Sequence, residues 1–581
     1  MSQLETTFAE RKAVASIDSK YCINCGKCRR ICPTEAVQEY QRPICRLCPD
    51  CGEGPEMSPS EVRAFATKHT CSIGCPLGTV PEGYINLIRE GRPQDAYDLI
   101  AELNPLPTTC ASICSHPCED ECKRGLLMNL GKPINIRGLK RYAVEHSVHK
   151  REKFRIRFDK SVGIIGAGPA GITAAFDLAK KGYKVTIYEQ GSKPGGMART
   201  CIPEFRLNKQ ALLEEFAALE EAGIEIIYNV RVGKNPSIDD LLAKHSAVLI
   251  AVGSSKGTKL PLEGDQFNPD RVYDAVTFMQ RINSNAPRRV GEELAYKKLV
   301  DVNVGKKAIV IGAGPVATDT ARTLKRLGVP EVTCACVEDE ASIPAPADEL
   351  AEAREEGVEF VTSAAPVRMI SDFSALKGIE FKKVESCSRN EAGSFVINTI
   401  EGSEFTIDCD TLIFATGQRA DVKQLAENAG LELLPNGRFR CDEKTNMTSR
   451  EGVFVAGGVL VARSSVVGSM ASGRKAALAI DNYIQGRELE DRSVMHDLAV
   501  APQSEMIYRI HLEDSVPQDM PKQRFRDTFD QVELGFTDVQ AHEESIRCMK
   551  CGFSFVDTEK CLGCGACISG CPENCITLKS V

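Results

Sequence analysis

SVGIIGAGPAGITAAFDLAKKGYKVTIYEQ, residues 161–190, reads as a buried strand, a glycine turn, an amphipathic helix closing at Gly182 and a second β-branched strand. That order is a βαβ unit. Its turn is Gly166-Ala167-Gly168-Pro169-Ala170-Gly171, and Glu189 ends the second strand 23 residues after the first glycine. Glycines at this spacing let backbone N–H groups and a helix N-terminus approach a pyrophosphate, while the acidic residue accepts from ribose hydroxyls. Residues 306–337, KKAIVIGAGPVATDTARTLKRLGVPEVTCACV, repeat the pattern, with Gly312 lying 146 residues after Gly166. Gly312, Gly314, Pro315 and Val316 form its turn, and the following strand leads into Val337 and Glu338. Two nucleotide domains are therefore expected. No Arg or Lys follows that second strand to receive a 2′-phosphate, which points to NAD rather than NADP.

Around these units the chain is 581 residues long, room for about four domains at roughly 150 residues each. Its 43% hydrophobic and 26% charged content is that of a globular protein. A net charge of -8 without a long basic tract argues against a nucleic-acid partner. The leading MSQLETTFAE has no apolar core and no run approaches a membrane span, so a cytoplasmic protein is expected.

The 26 cysteines fall mostly in blocks. In a reducing compartment, clustered thiols read as metal ligands before disulfides. Cys22, Cys25, Cys28 and Cys32 precede Pro33, and Cys561, Cys564, Cys567 and Cys571 precede Pro572, both with the spacing of bacterial ferredoxin cluster runs. The fourth thiolate of such a run serves either its own cluster or a neighbouring one, and zinc is the competing occupant. Cys45, Cys48 and Cys51 begin a further run, but Pro55 stands where its fourth cysteine belongs, so Cys71 or Cys75 must enter somewhere. Cys548, Cys551 and Cys575 are additional candidate ligands at the other end. Cys110, Cys114, Cys118 and Cys122 recur every four residues, and Pro117 breaks the helix on which they would form a core stripe, which favours cluster binding. The basic residues Lys150, Arg151, Lys153, Arg155, Arg157 and Lys160 form either a solvated face or a dock for an acidic ferredoxin.

Several segments together resemble the family of the glutamate synthase small subunit, the flavoprotein part of dihydropyrimidine dehydrogenase and the large subunit of ferredoxin-dependent transhydrogenases. They are PLPTTCASICSHPCEDEC, PINIRGLKRYA, GAGPAG, PGGMARTCIPEFRL, VIGAGPVATDTART, TLIFATGQ and GSMASGRKAA, within residues 70–490. The resemblance implies FAD on the first Rossmann domain, the nicotinamide on a second one inserted into it, and two clusters in a helical N-terminal domain. It places Gly195, Gly196 and Met197 near the flavin, Val232 at its adenine end, and Gly417, Gly457 and Gly458 within the cofactor site. The chain departs from the family in four places. Val337 and Glu338 replace an Arg pair, Pro315 replaces an Asn, Gly458 stands at the flavin-ribityl aspartate, and Lys140 occupies the Gln or Glu that completes a cluster, so that either Cys110 substitutes for it or that cluster is changed or absent.

The fold class expected is α/β, with two Rossmann-type domains, a helical Fe–S domain and ferredoxin-like modules at both termini. The expected boundaries are residues 1–60 for the first module, 61–155 for the helical domain, 156–304 and 413–488 for the FAD domain, 305–412 for the NAD domain, 489–545 for a linker and 546–581 for the last module. With FAD, NAD(H) and three to five 4Fe-4S clusters, the chain reads as one subunit of an NAD-linked electron-transfer complex. Its partners are other redox subunits and ferredoxin, and flavin-based bifurcation is compatible with it. A glutamate synthase small subunit and an electron-transfer scaffold without nicotinamide binding are the alternatives.

Overall fold

The 161–190 unit folds as strand Ser161–Ile165, helix Pro169–Lys181 and strand Lys184–Tyr188. Proline opens the helix, and Gly182 at φ 105 closes it in the left-handed region that favours glycine. This computed structural model describes residues 13–18, 22–41, 70–126, 131–264, 270–284, 302–372, 375–389, 395–460, 465–488, 499–500, 516–523, 528–556, 560–561 and 564–580. Cys45, Cys48 and Cys51 lie outside the described residues.

Five parallel strands form the first sheet, in the order Val453–Val455, Ala247–Ile250, Ser161–Ile165, Lys184–Tyr188, Glu225–Ile227. The central ones are almost wholly buried, as in a parallel sheet covered on both faces. A second parallel sheet runs Glu359–Val361, Glu331–Ala335, Lys307–Ile311, Thr411–Phe414, Val272–Asp274. Lys256–Gly257 pairs antiparallel with Gln418–Arg419, so the chain leaves and re-enters the first unit side by side. Residues 364–408 add an antiparallel sheet whose Met369, Ile379 and Phe381 share a core with Ile309, Ile311, Leu412 and Phe414.

Upstream lie short helices, among them Pro81–Arg89, Pro93–Leu103, Pro107–Ile113 and Pro117–Asp120, each with proline in its first turn, where the missing N–H costs nothing. The cysteine stripe is interrupted where Pro117 predicts. Cys114 is extended, His116 turns left-handed at φ 39, and a new turn starts at Pro117. This domain shares one core with the first Rossmann unit. Arg474, on the helix Val466–Gln485, holds the two together: its guanidinium pairs with Asp177 at 2.7 Å and donates to the carbonyls of Leu77 and Leu103.

The two cysteine-rich ends, expected as separate modules, meet as one unit. Ala13–Ile17 pairs antiparallel with Ile576–Ser580, and Val37–Gln41 with Gly552–Val556. Each end contributes a short strand pair too small to bury a core alone, and interleaving closes one around Ala15, Ala36, Val37 and Ile576. The stretch expected as a linker packs in part against the nucleotide domains. Val532 N–H donates to Phe205 O at 3.0 Å, and Arg326 Nε to Thr528 O at 3.1 Å. A capping box of Thr537 and Gln540 then starts the helix Asp538–Ile546.

Candidate functional site

The first glycine turn sits at the carboxyl end of its sheet, where open α/β sheets bind ligands. Gly166 has φ 106, and a Cβ there would lie 2.6 Å from the carbonyl oxygen of Ala251. A Cβ on Gly171 would run into the Gly166 carbonyl, so helix and turn pack closely only with glycine. Gly168 differs: the one atom near its Cβ position is Gly196 Cα, at 4.0 Å, which leaves the mouth of the turn open. Glu189 leans over it, accepting from Ala167 N–H at 2.8 Å and Gly191 N–H at 2.7 Å. Gly195, at φ 109, donates to Ala167 O at 2.8 Å, which brings Gly196 and half-buried Met197 to the same mouth. Ala170 carries the packing behind them, since Gly457 and Gly473 both lie against it. At Gly458, Ser254 Oγ donates to the glycine carbonyl at 2.6 Å, placing a hydroxyl beside the position of the expected carboxylate. Val232 is buried with Tyr188 and Ile165 at the strand ends, and Gly417, at φ 125, is open at its Cβ position. A turn with an open mouth, an acidic residue above it and glycine walls fits a dinucleotide.

The second turn repeats this. Gly312 has φ 120 against the Ala415 carbonyl, and the one atom near the Cβ position of Gly314 is Pro344 Cγ, at 3.9 Å. Pro315 starts the helix Pro315–Arg326, and replacing Asn by Pro at a first helical position preserves the turn. Val316 is exposed beside it. A cavity of about 290 Å³ opens at the end of the next strand, lined by Val337, Glu338, Asp339, Glu385 and the serines Ser342, Ser363, Ser386 and Ser388 among others. Among its described lining residues there is no Lys or Arg.

The thiols gather in four groups. Cys22, Cys25, Cys28, Cys571 and Cys575 line one hollow in the terminal unit. The hydrogen bond from Cys575 outweighs burial and lowers Cys22 to about 6, while burial pushes Cys28 up to about 12. Cys571 and Cys575 are 3.4 Å apart, sulfur to sulfur. Cys32 lies instead with Cys561, Cys564 and Cys567: its charge is the first after burial to bear on Cys567. The fourth cysteine of each run thus faces the other run, across a chain separation of several hundred residues.

Two groups lie in the helical domain. Burial, reinforced by Glu82 and by Cys122, Cys548 and Cys551, drives Cys71 well above the ordinary thiol range. Cys548 and Cys551 reach this domain because Glu544 and Arg547, fully buried in their side chains, tie the preceding helix to it. Glu544 accepts from Asn135 N–H at 2.8 Å, and Arg547 donates to Lys132 O at 2.7 Å. Cys75, Cys110, Cys114 and Cys118 form the other group, and buried Lys140 is within electrostatic reach of all four. No three described His, Cys, Asp or Glu side chains converge as ligands of a single ion. A cubane takes one thiolate at each iron and needs a wider frame, so these groups of thiols suit a cluster better than one zinc ion.

Sequence reasoning missed Ser254, Arg474 and Tyr84. Tyr84 is fully buried, and its hydroxyl has no hydrogen-bond partner among the described residues. No local pattern marks it, because its neighbours come from other helices. Cys201 packs against Met197, sulfur to sulfur at 3.6 Å, with burial pushing it up to about 12, so it is a core thiol. In the basic stretch Arg151 is engaged, donating to the carbonyls of Asn104 and Pro105, and most of its neighbours are solvated. No helix among the described residues is long and apolar enough to cross a membrane.

Three family models match the chain. Residues 63–152 match the model for dihydropyrimidine dehydrogenase domain II, 4Fe-4S cluster, and residues 15–38 and 555–577 match the 4Fe-4S binding domain. The subunit PreT of the NAD-dependent dihydropyrimidine dehydrogenase of Escherichia coli is 33% identical over 422 residues, covering 72% of this chain and 91% of its own. The NADPH-Fe(3+) oxidoreductase subunit beta of Geobacter sulfurreducens is 29% identical over 535 residues, 85% of this chain and 77% of its own. Among solved structures, FprA of Mycobacterium tuberculosis in complex with NADPH is similar with a TM-score of 0.47 at 16% identity, over 57% of this chain and 85% of that one. Residues 160–478, both nucleotide turns included, match the pyridine nucleotide-disulphide oxidoreductase model, and the chain belongs to that family.

Proposed function

We propose that this chain is the NAD(H)-linked flavin and iron–sulfur subunit of an electron-transfer complex whose partner is a separate redox protein, ferredoxin or another subunit. When bound, FAD exchanges a hydride with the nicotinamide and one electron at a time with iron–sulfur clusters. The chain's own residues supply place and selectivity. Gly166, Gly168 and Gly171 receive the flavin pyrophosphate, and Glu189 accepts from its adenosine ribose. Gly312 and Gly314 do the same for the nicotinamide nucleotide, with Glu338 positioned for ribose hydroxyls and, beside Asp339 and Glu385, repelling a 2′-phosphate. Cysteines of the four thiol groups are the cluster ligands.

What carries the reading is contact from end to end. The Cβ position of Gly83 is 2.8 Å from Cys25 Cα, and Asn86 Nδ2 donates to Ile23 O at 3.2 Å, which seats the terminal unit on the helical domain. Cys110 in turn touches Met470 on the helix that packs against Ala170 of the flavin turn. Thiol groups therefore line a route from the nucleotide site to the exposed terminal unit, where Cys564 is at the surface.

Anaerobic stopped-flow mixing of the iron-replete protein with NADH or NADPH tests this, following flavin and cluster bleaching. NADH is expected to bleach both faster than NADPH does, and subsequent addition of oxidised ferredoxin to restore the cluster absorbance. An occupied flavin that neither nucleotide reduces would overturn the reading in favour of a scaffold fed by its partner.

A further inference from the structure

The chain passes between the two nucleotide domains through a pair of very short strands, Lys256–Gly257 and Gln418–Arg419. A domain on such a hinge swings unless something else holds it. Direct contacts do so in part. Arg206 of the first domain pairs with Asp319 at 2.9 Å and Glu349 at 2.6 Å, on the helices Pro315–Arg326 and Ala347–Glu355 of the second. Asn283 Nδ2 donates back to Thr200 O at 3.0 Å.

A further hold comes from far down the chain. Residues 520–523 and 528–534 lie together as a hairpin, in which Gln523 N–H donates to Val532 O at 2.7 Å and Leu534 N–H to Pro521 O at 2.8 Å. Its base is fixed to the helical domain. Arg137, on the helix Ile136–Glu145, grips Glu533 with both terminal nitrogens at 2.6 Å, a forked pairing that sets orientation as well as distance. A Cβ on Gly138 would come within 2.6 Å of Phe536 Cε2, so that ring seats only against glycine. The helical domain shares one core with the first nucleotide domain, and Val532 N–H donates to Phe205 O of the latter at 3.0 Å. The hairpin is thus anchored on the first domain's side of the hinge.

Its other contacts reach across. Thr528 O accepts from Arg326 Nε at 3.1 Å, and Lys522 pairs with Glu352, which Arg322 also holds at 2.7 Å. Phe205, fully buried, pins the junction: Arg326 and Arg322 lie over its ring at 3.9 and 4.9 Å, and Phe529 of the hairpin approaches at 6.3 Å. Arg326 ends the helix that starts beside Gly314 in the second turn. Holding one end of this helix fixes where its other end presents a nucleotide.

We propose that residues 520–536 brace the second nucleotide domain in the orientation that brings nicotinamide to flavin, with Lys522 and the Thr528 carbonyl as the contacts that set it. It rests on the reading that the two turns hold these two nucleotides. Lys522 is a positioning residue, acting through the helices it holds.

The test uses the full chain loaded with flavin and iron, as the parent and as Lys522→Glu, Lys522→Met and Lys522→Arg. Lys522→Glu sets like charge against Glu352. Flavin reduction is followed by anaerobic stopped flow over a range of NADH concentrations, and amide hydrogen exchange at the hinge strands is followed without nucleotide. In Lys522→Glu the limiting reduction rate is expected to fall roughly tenfold, a loss that misplacement remote from the chemistry can cause. The NADH concentration giving half that rate should stay at the parent value, and so should reduction by dithionite. Exchange at Thr258 and Gln418 should quicken. Lys522→Met should change the same quantities by less, and Lys522→Arg should match the parent.

An unchanged limiting rate or unchanged hinge exchange in Lys522→Glu overturns the proposal. So does a loss confined to the half-saturating concentration, or one that Lys522→Arg shares. Should Lys522→Glu fail to retain flavin or iron, Lys522→Met is judged by the same criteria. If NADH does not reduce the parent flavin, the functional reading fails, and hinge exchange alone decides whether the brace holds the domain.

Discussion

Cys110 Sγ lies 3.6 Å from Met470 Sδ. These two sulfurs are the meeting point of the helical domain and the helix that covers the flavin turn, and both side chains are buried. The contact joins a candidate cluster ligand to the helix whose Gly473 packs against Ala170 of the first glycine turn.

Arg474→Ala removes a buried guanidinium from Asp177 and from the carbonyls of Leu77 and Leu103. Breaking a buried pair with its partner left behind costs about 3–5 kcal/mol. Denaturant unfolding should show that loss. In the surviving folded fraction, cluster reduction should lag flavin reduction, as rapid-mixing spectra would report.

Gly168→Ala separates binding from folding. The added Cβ meets nothing closer than Gly196 Cα at 4.0 Å, and φ of -87 suits alanine, so the apoprotein should unfold within about 0.5 kcal/mol of the parent. The methyl group occupies the mouth meant for the pyrophosphate. Flavin content after purification should fall severalfold, measured from the absorbance of released flavin.

Glu338→Arg exchanges a repelling charge for a pairing one at the end of the second nucleotide unit. A charged hydrogen bond contributes about 1.5–3 kcal/mol, so the NADPH-to-NADH ratio of kcat/KM should rise by roughly 10–100-fold. An unchanged ratio would remove Glu338 from the discrimination.

Glu215 supplies a pH dependence of stability. It accepts from Thr108 N–H at 2.5 Å, Thr109 N–H at 3.1 Å and Thr109 Oγ at 2.6 Å, yet burial prevails and raises it to about 7. A carboxyl raised on folding binds its proton more tightly in the native state, so its contribution is full below about 4.5 and is lost as pH rises through about 7. The change is on the order of 3 kcal/mol at most. Urea midpoints of the parent should therefore fall between pH 5 and 7 relative to those of Glu215→Gln, whose slope in that window should be flatter.

Much of this architecture was legible in the sequence because its signals are local. The glycines at 166, 168 and 171 and the carboxylate at 189 lie within one βαβ unit, and the break at Pro117 is a property of one dihedral. Pairing of the thiols was not legible. Cys71 finds Cys548 and Cys551 only through the buried anchor of Glu544 and Arg547, and Cys32 finds Cys567 only because strands from opposite ends of the chain zip together. Spacing constrains ligands that are neighbours in sequence and carries no information about ligands brought together by tertiary packing.

The interleaved ends set a condition on biogenesis. Ala15 N–H donates to Cys561 Sγ across 546 residues, so the strand that leads into the first thiol run waits for a partner made much later in synthesis. Until then Cys32 and Cys571 each lack the opposite run that they face in the folded chain. A chain interrupted after its nucleotide domains could fold and take up flavin, yet it would have no finished outlet at its surface. Closure of the two ends thus brings the two thiol runs together only in a chain in which both have been made.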